Sequence, residues 1–288
     1  MTTRFRTLLR LIPDKIYVQM QYFYHFHRFA NLKNPRTFNE KLNWLKLNDH
    51  NPLYTTLVDK YAVKKWVADK IGEQYIIPTL GVWEKAEDID FDKLPDQFVL
   101  KVNHDSGGLV ICRDKSKLDK NAAIAKLSRA LKNNGYWYGR EWPYKNVKPC
   151  IIAEKYMEDI KTKELRDYKF FCFNGIPKIL FIASDRQNPS EETKFDFYDM
   201  EFNHLPFTNG HPNALQIPQK PNTFETMKQL AAQLSRNMAH VRVDFYEIDG
   251  KVYFGELTLY HWSGFKPFNP KQWDKTIGSW LTLPKENK

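Results

Sequence analysis

Residues His240–Gly264 read HVRVDFYEIDGKVYFGELTLYHWSG. Two runs of alternating character flank Asp249–Gly250, the pattern of a β-hairpin. Alternation places Arg242, Asp244 and Tyr246 on one face of the first strand, and Glu256, Thr258 and Tyr260 on one face of the second. The remaining residues are mostly apolar, so the hairpin is expected to be at least half buried. Its arginine, two carboxylates and threonine hydroxyl then need partners. If residues 249–251 form a three-residue loop, Ile248 pairs with Val252, Asp244 faces Glu256 and Arg242 faces Thr258. A two-residue Asp249–Gly250 loop pairs Ile248 with Lys251 and turns Glu256 to the other face, because a one-residue slip reverses every side chain. A shared site therefore needs the longer loop or a bulge, with Gly250 as the left-handed residue. Directly opposed carboxylates repel. A hard cation such as Mg2+ resolves the repulsion, and an arginine beside it suits phosphate. The competing reading is an exposed hairpin with weak surface ion pairs.

Outward from the hairpin, the chain alternates helical and strand patterns. NPRTFNEKLNWLKLND gives a turn, a Thr37 or Asn39 cap and an amphipathic helix, and PLYTTLVDKYAVKKWVADKIG a second helical stretch ended by Gly72. YIIPTLGVW is a strand broken by Pro78, and DQFVLKVNHDSGGLVICRD a strand, a glycine turn and a strand. Residues 119–134 are helical, CIIAEKYM is a buried strand, and DYKFFCFNGIPKILFIAS is a hairpin turning at Asn174–Gly175. FDFYD is a further strand, and residues 223–238 form a helix before the final hairpin. Antiparallel hairpins rather than βαβ units give a mixed α+β protein.

The 288 residues suffice for two lobes with a large core. No apolar run approaches the roughly 20 residues that span a bilayer, and the start lacks a secretory h-region, so the chain is expected to be cytoplasmic. The basic, apolar stretch Arg4–Ile12 is expected to pack against the body; peripheral association with an anionic membrane is the alternative. Cys112, Cys150 and Cys172 fit no metal or disulfide spacing and read as buried thiols. The formal charge of +10 favours an anionic partner. Zinc-finger and RNA-recognition signatures are absent from the sequence, and nucleic acid is not expected.

Two further segments carry chemistry. In FVLKVNHDSGG, Lys101 closes a strand and a turn with Ser106, Gly107 and Gly108 follows. Glycines let backbone N–H groups approach phosphate, and the lysine adds a charge. The spacing is not that of a Walker A loop, and an ordinary tight turn reads equally well. In PCIIAEKYM, a buried strand leads into Glu154–Met157, where a strand end can offer an apolar slot and backbone edges to a flat base.

In order, VDKYAVKK, FVLKVNHDSGG, IIAEKYM, DYKFFCFNG, VRVDFY and GELT resemble the ATP-grasp superfamily. Within it, the chain resembles the TupA-like group associated with teichuronopeptide and other surface-polysaccharide biosynthesis, over about residues 35–284. The resemblance implies an ATP-grasp fold, two α+β lobes whose antiparallel sheets sandwich ATP, behind a helical N-terminal segment. The implied division is residues 1–58 for that segment, 59–157 for the small lobe and 158–288 for the large lobe.

The same resemblance implies roles. Lys101 lies on the phosphates and the His104–Gly108 turn, with Ser106 and Gly107, covers them. Lys60 is an earlier phosphate-side lysine. Glu154, Lys155 and Met157 form the adenine linker. Asp167 holds the ribose, with Lys169 reaching toward phosphate. Asp244 and Glu256 hold magnesium, and Arg242 lies near the transferred phosphoryl group. Many relatives carry asparagine where this chain has Thr258, whose hydroxyl is the third magnesium ligand by position. The implied reaction is ATP-dependent carboxylate–amine ligation through an acylphosphate. The expected acceptor is a uronic acid of an acidic polysaccharide, joined to an amino acid or other amine at the inner face of the membrane.

Acceptor contacts are expected from GYWYGREWPYKN, with Arg140 for a carboxylate and Trp142 for sugar stacking, and from His261 and Ser263 behind the metal strand. For the loop, pinning by buried Trp137 and Trp142 is the competing reading; for His261, a structural histidine. The rival activity is a glycosyltransferase of capsule, lipopolysaccharide or exopolysaccharide assembly. Asp88-Ile89-Asp90 and Asp90-Phe91-Asp92 match its Asp-x-Asp metal motif, although they read as an exposed acidic connection.

Overall fold

The computed structural model of the chain describes residues 9–160, 165–184 and 192–285. Residues 4–8 of the basic N-terminal stretch lie outside them. Two antiparallel sheets dominate. The first contains β1 (Thr79–Trp83), β2 (Phe98–Val102), β3 (Leu109–Cys112) and β4 (Ile151–Lys155), in the order β1-β4-β2-β3. The second contains β5 (Asp167–Phe173), β6 (Ile176–Ser184), β7 (Lys194–Asp199), β8 (His240–Ile248) and β9 (Lys251–Thr258), in the order β7-β6-β5-β8-β9.

Local chemistry sets several element ends. Helix α1 spans Asp14–Phe26 and α2 Phe38–Asn48. Thr37 caps α2 by accepting from the Glu40 backbone N–H, while the Glu40 carboxylate accepts from the Thr37 backbone, a closed capping box. Helices α3 (Leu53–Val58) and α4 (Ala62–Ile71) follow, and α4 stops at Gly72, whose φ of 112° suits glycine. Asn174 and Gly175 take φ of 51° and 82°, so β5 and β6 join through the two-residue turn their sequence predicts. Helices α5 (Lys120–Leu131), α6 (Tyr136–Gly139), α7 (Phe224–Leu234) and α8 (Gln272–Trp280) complete the chain.

Apolar burial then fixes how the layers stack. Phe38, Leu42, Leu57, Val63 and Val67 share one core with Phe170, Phe171, Val243 and Leu257, so α2, α3 and α4 pack with the five-stranded sheet. A smaller core joins Phe98, Leu100, Ile151 and Ala153 to Leu127 and Ala130 of α5. All three cysteines are buried and free. Among the described residues, no helix is long and apolar enough to cross a membrane.

Candidate active site

A cleft of about 350 Å³ separates the sheets. Lys101 and Glu154 line it from the first sheet, Lys64 from α4 and Lys60 from the turn before α4, and Asp167, Lys169 and Glu256 from the second sheet. Val99, Ile111, Met157 and Phe254 give it an apolar wall, the combination of slot and convergent charges that small-molecule sites use.

On the first sheet, Glu154 pairs with Val99 across the β2–β4 ladder, and Lys101 with Ile152, which places Glu154 and Lys101 on one face. The Glu154 carboxylate accepts from Lys64 Nζ at 2.6 Å and from Lys101 Nζ at 2.7 Å. Burial alone would raise the Glu154 pKa; the two ammonium groups hold it below the usual range instead. Lys64 escaped the sequence reading, although it stands one helical turn beyond Lys60. The Glu154 side chain is committed to these lysines. Lys155, Tyr156 and Met157, the remainder of the segment expected to hold the base, also line the cleft, and the exposed Lys155 spends its backbone N–H on Pro78 O at 3.0 Å.

The glycine turn lines the cleft through Asp105, Ser106 and Gly108, but two of its N–H groups already have an acceptor. Ser106 N–H donates to Asp105 Oδ1 at 2.7 Å, and Gly107 N–H also turns onto that carboxylate. Asn133 Nδ2 donates to Asp105 Oδ2 at 3.0 Å, so the aspartate fills the anion nest of its own loop. Gly108 is required by packing: a Cβ there would stand 2.6 Å from Ala130 Cβ and 2.7 Å from Val102 Cγ2. His104 is buried away from the cleft, between Asn103 Oδ1 at 3.0 Å and Asn133 O at 2.8 Å, and serves the loop's structure. Lys60 Nζ donates to Asp105 O at 3.0 Å.

On the second sheet, Asp167 lies opposite Tyr246, Lys169 opposite Asp244 and Phe171 opposite Arg242. Asp244 faces Glu256 and Arg242 faces Thr258, the predicted register, but the device differs from the expected loop. The turn has two residues: Asp249 and Gly250 adopt φ of 49° and 74°, and Ile248 pairs with Lys251. The shift occurs farther along, between Phe245↔Phe254 and Asp244↔Glu256, where Gly255 is the extra residue. A Cβ on Gly255 would approach Asp244 O to 3.1 Å and the Tyr246 ring to 3.2 Å, so the bulge also needs a residue this small.

The carboxylates are not left to repel one another. Arg242 donates to both Asp244 oxygens at 2.7 Å and to Glu256 Oε1 at 3.1 Å. Lys169 ion-pairs with Asp244, and with Asp167 at 3.1 Å. Burial would raise the Asp244 pKa, but Arg242 and Lys169 drive it far below the usual carboxylate range. Glu256 is the open member, with 42 % of its side chain exposed, and Thr258 Oγ1 lies 3.5 Å from Glu256 Oε1.

Behind Arg242 the strand ends in a tight turn, His261–Gly264. Trp262, Ser263 and Gly264 all have positive φ, of 47°, 53° and 68°; for Trp262 and Ser263 this is backbone strain, which collects at functional sites. Asn209 spends its amide donors on Lys266 O and Pro267 O, so its Oδ1 accepts from His261 Nε2 at 2.9 Å. His261 Nδ1 then accepts from Arg242 Nη1 at 3.0 Å, which fixes a neutral ring. Burial and Arg242 both press its pKa well down. His261 is thus a brace for Arg242. The buried Lys46 donates to Gly139 O and Ser263 O at 2.8 Å, tying this turn to α2 and α6. A lysine on the apolar face of α2 was its only trace in the sequence.

Arg140 and Trp142 do not reach the cleft, which corrects their expected acceptor role. Arg140 is 1 % exposed, donates to Leu9 O at 2.7 Å and lies over the rings of Tyr17 and Trp137. Trp142 Nε1 donates to Asp49 O at 3.1 Å, and its ring packs on His50 and Tyr54. Trp262, 42 % accessible, is an exposed aromatic beside His261. Asp90 and Asp92 point to solvent and pair with Lys93 and Lys120, away from the cleft.

A family model described as TupA-like ATPgrasp matches residues 40–282. No curated protein matches the chain. Among solved structures, it is similar to D-alanine–D-alanine ligase from Bacillus anthracis complexed with ATP, at 18 % identity and TM-score 0.40 over 71 % of this chain and 54 % of that one. The Helicobacter pylori D-alanine–D-alanine ligase matches at 13 % identity and TM-score 0.41, over 80 % of this chain and 60 % of that one. VanG D-Ala:D-Ser ligase from Enterococcus faecalis matches at 11 % identity and TM-score 0.43, over 71 % and 52 %. The chain thus spans between half and three-fifths of the length of these structures.

Proposed function

This chain belongs to the TupA-like ATP-grasp family, and from that premise we propose that it is an ATP-dependent carboxylate–amine ligase. The observation that carries the reading is the cleft itself. Lys101 on the first sheet and Lys64 on α4 face Lys169, Asp167 and Glu256 on the second sheet across about 350 Å³. ATP would lay its base along the Val99–Met157 wall and its phosphates toward the lysines. In the proposed reaction the γ-phosphoryl passes to a substrate carboxylate oxygen and ADP leaves. An amine nitrogen then attacks the acyl carbon, phosphate departs, and the nitrogen gives up a proton. A free carboxylate resists attack because it is anionic; phosphorylation removes that charge and installs a leaving group.

The oxygens open to a hard cation are the Glu256 carboxylate and the Thr258 hydroxyl beside it; both Asp244 oxygens are held by Arg242 and Lys169. When bound, Mg2+ would neutralise phosphate charge. Glu256 would hold it through the carboxylate open to the cleft. Asp244, gripped by Arg242 and Lys169, supports the site by keeping both cations aimed. Arg242, braced by His261, presents a fixed guanidinium to the charge that develops on the transferring group.

For the acceptor, we propose a uronate of an acidic surface polysaccharide and an amine such as an amino acid. Support comes from the +10 charge and from Trp262, whose exposed ring beside the Arg242 end can stack on a sugar. The test supplies MgATP, polysaccharide extract and candidate amines. ADP and phosphate should appear only when carboxylate and amine are both present, and the product should gain the mass of the amine less water. Trp262→Ala should raise the acceptor KM with kcat nearly unchanged. AMP and pyrophosphate as products, or UDP-sugar consumption, would overturn the reading.

A further inference from the structure

Helix α1 is apolar on both sides. Its inner face buries Tyr17, Val18 and Tyr22, packed with Ala30 and Phe265. Its outer face presents Ile16, Met20, Phe23 and Tyr24, extended by Leu11 before the helix and Phe29 after it; these six are between 47 % and 79 % exposed. Isolated exposed apolar side chains are ordinary, but four on one short helix with two more flanking it form a patch of the kind that contacts something. Spacing explains the cluster, since positions 16, 20, 23 and 24 share one side of a helix.

Charge identifies what that something is. Residues 1–39 contain seven lysines and arginines and a single acidic residue, Asp14, and so supply six of the chain's ten excess positive charges. Asp14 is spent inward: it accepts from Tyr136 Oη at 2.7 Å and faces Arg140 at 3.5 Å. Lys15 and Lys33 are exposed. A second copy of this chain seated on the patch would oppose two basic segments. An anionic surface complements them. At 13 residues, α1 is about 20 Å long, too short to span a bilayer but able to lie on one.

We infer that the outer face of α1 docks onto a bilayer surface containing anionic phospholipid. Apolar side chains enter the headgroup boundary and the flanking lysines meet the phosphates. The inner face of α1 holds Tyr138 O through Tyr17 Oη at 3.0 Å and packs on Phe265, next to the Trp262–Gly264 turn. Docking therefore sets the Arg242 end of the cleft near the bilayer. The inference does not depend on the proposed reaction.

The test is vesicle co-sedimentation of the full chain, with ATP binding and circular dichroism as controls for folding. The wild type should sediment with phosphatidylcholine–phosphatidylglycerol vesicles and far less with phosphatidylcholine alone. A triple variant, Ile16→Ser/Phe23→Ser/Phe29→Ser, and a charge variant, Lys15→Glu/Lys33→Glu, should each lower partitioning roughly tenfold or more, with ATP binding unchanged. The charge variant alters only exposed side chains and keeps the test sound if the triple variant misfolds. Equal binding to both vesicle types, no binding to either, or binding that the charge variant leaves intact would overturn the inference. So would a dimer in sedimentation velocity that the triple variant dissolves.

Discussion

Arg242 grips Asp244 from two residues away on the same strand, with Nε and Nη2 donating to the two carboxylate oxygens at 2.7 Å each. Alternation makes this bidentate clasp possible, and Lys169 from the neighbouring strand closes it. The opposed carboxylates of the hairpin therefore carry their own counter-charges.

Asp244→Asn should accordingly destabilise the fold. The sequence alone suggested relief of like-charge repulsion; the clasp reverses that sign. Removing one member of a buried pair leaves Arg242 and Lys169 short of a partner, at a cost of about 3 kcal/mol. The folded carboxyl binds its proton more weakly than the unfolded one. Its stabilisation is thus full above the unfolded value of about 4 and is lost progressively on acidification below it. Chemical denaturation across that range should show a shallower acid slope for Asp244→Asn. Equal stability at neutral pH would contradict the assignment.

Gly255 and Gly250 should respond to substitution very unequally. Gly255→Val places a side chain against Asp244 O and the Tyr246 ring and should cost about 1–3 kcal/mol, with turnover falling as Glu256 shifts. Gly250 has open space and positive φ, so Gly250→Asn should cost only a few tenths of a kcal/mol. Melting curves and turnover of the two variants decide the matter; similar penalties would mean that the turn, rather than the bulge, sets the register.

Lys64→Met should weaken ATP binding about tenfold, as should Lys101→Met. Both lysines share Glu154, so the double variant should lose less than the sum of the single effects. Calorimetric titration of the four proteins in the cycle measures the coupling, and strict additivity would show that the Glu154 bridge does not link them.

His240 lies between the rings of Phe38 and Phe173, its Nδ1–H donating to Cys172 O at 2.9 Å. Burial, and to a lesser degree Arg242, lower its pKa to about 3. The folded state thus binds the proton more weakly than the unfolded chain. Stability is full above pH 6.5 or so and falls as pH drops toward about 3. His240→Phe gives up one hydrogen bond, about 1 kcal/mol, and should flatten the stability profile in that window. An unchanged profile would show that His240 is not the titrating group.

The order of elements, the Asn174–Gly175 turn and the face shared by Arg242, Asp244 and Tyr246 were all legible in the sequence. Each depends on residues near one another in the chain: strand period is two, and Asn-Gly and Asp-Gly favour tight turns whatever surrounds them. The device that sets the cross-strand register was not legible, because a glycine signals a bulge only once the partner strand is in place: the pairing of Asp244 with Glu256 is the expected one, but the bulge that produces it is at Gly255 rather than in the Gly250 turn. Partner choice was hidden for the same reason. Arg140 reads as a ligand for carboxylate but is captured by α1, Lys64 reads as one of several helix lysines but meets Glu154, and Asp105 occupies the nest its own glycines form. A charged side chain within a folding chain pairs with whatever the apolar layers bring beside it, and that is settled by packing between segments distant in sequence.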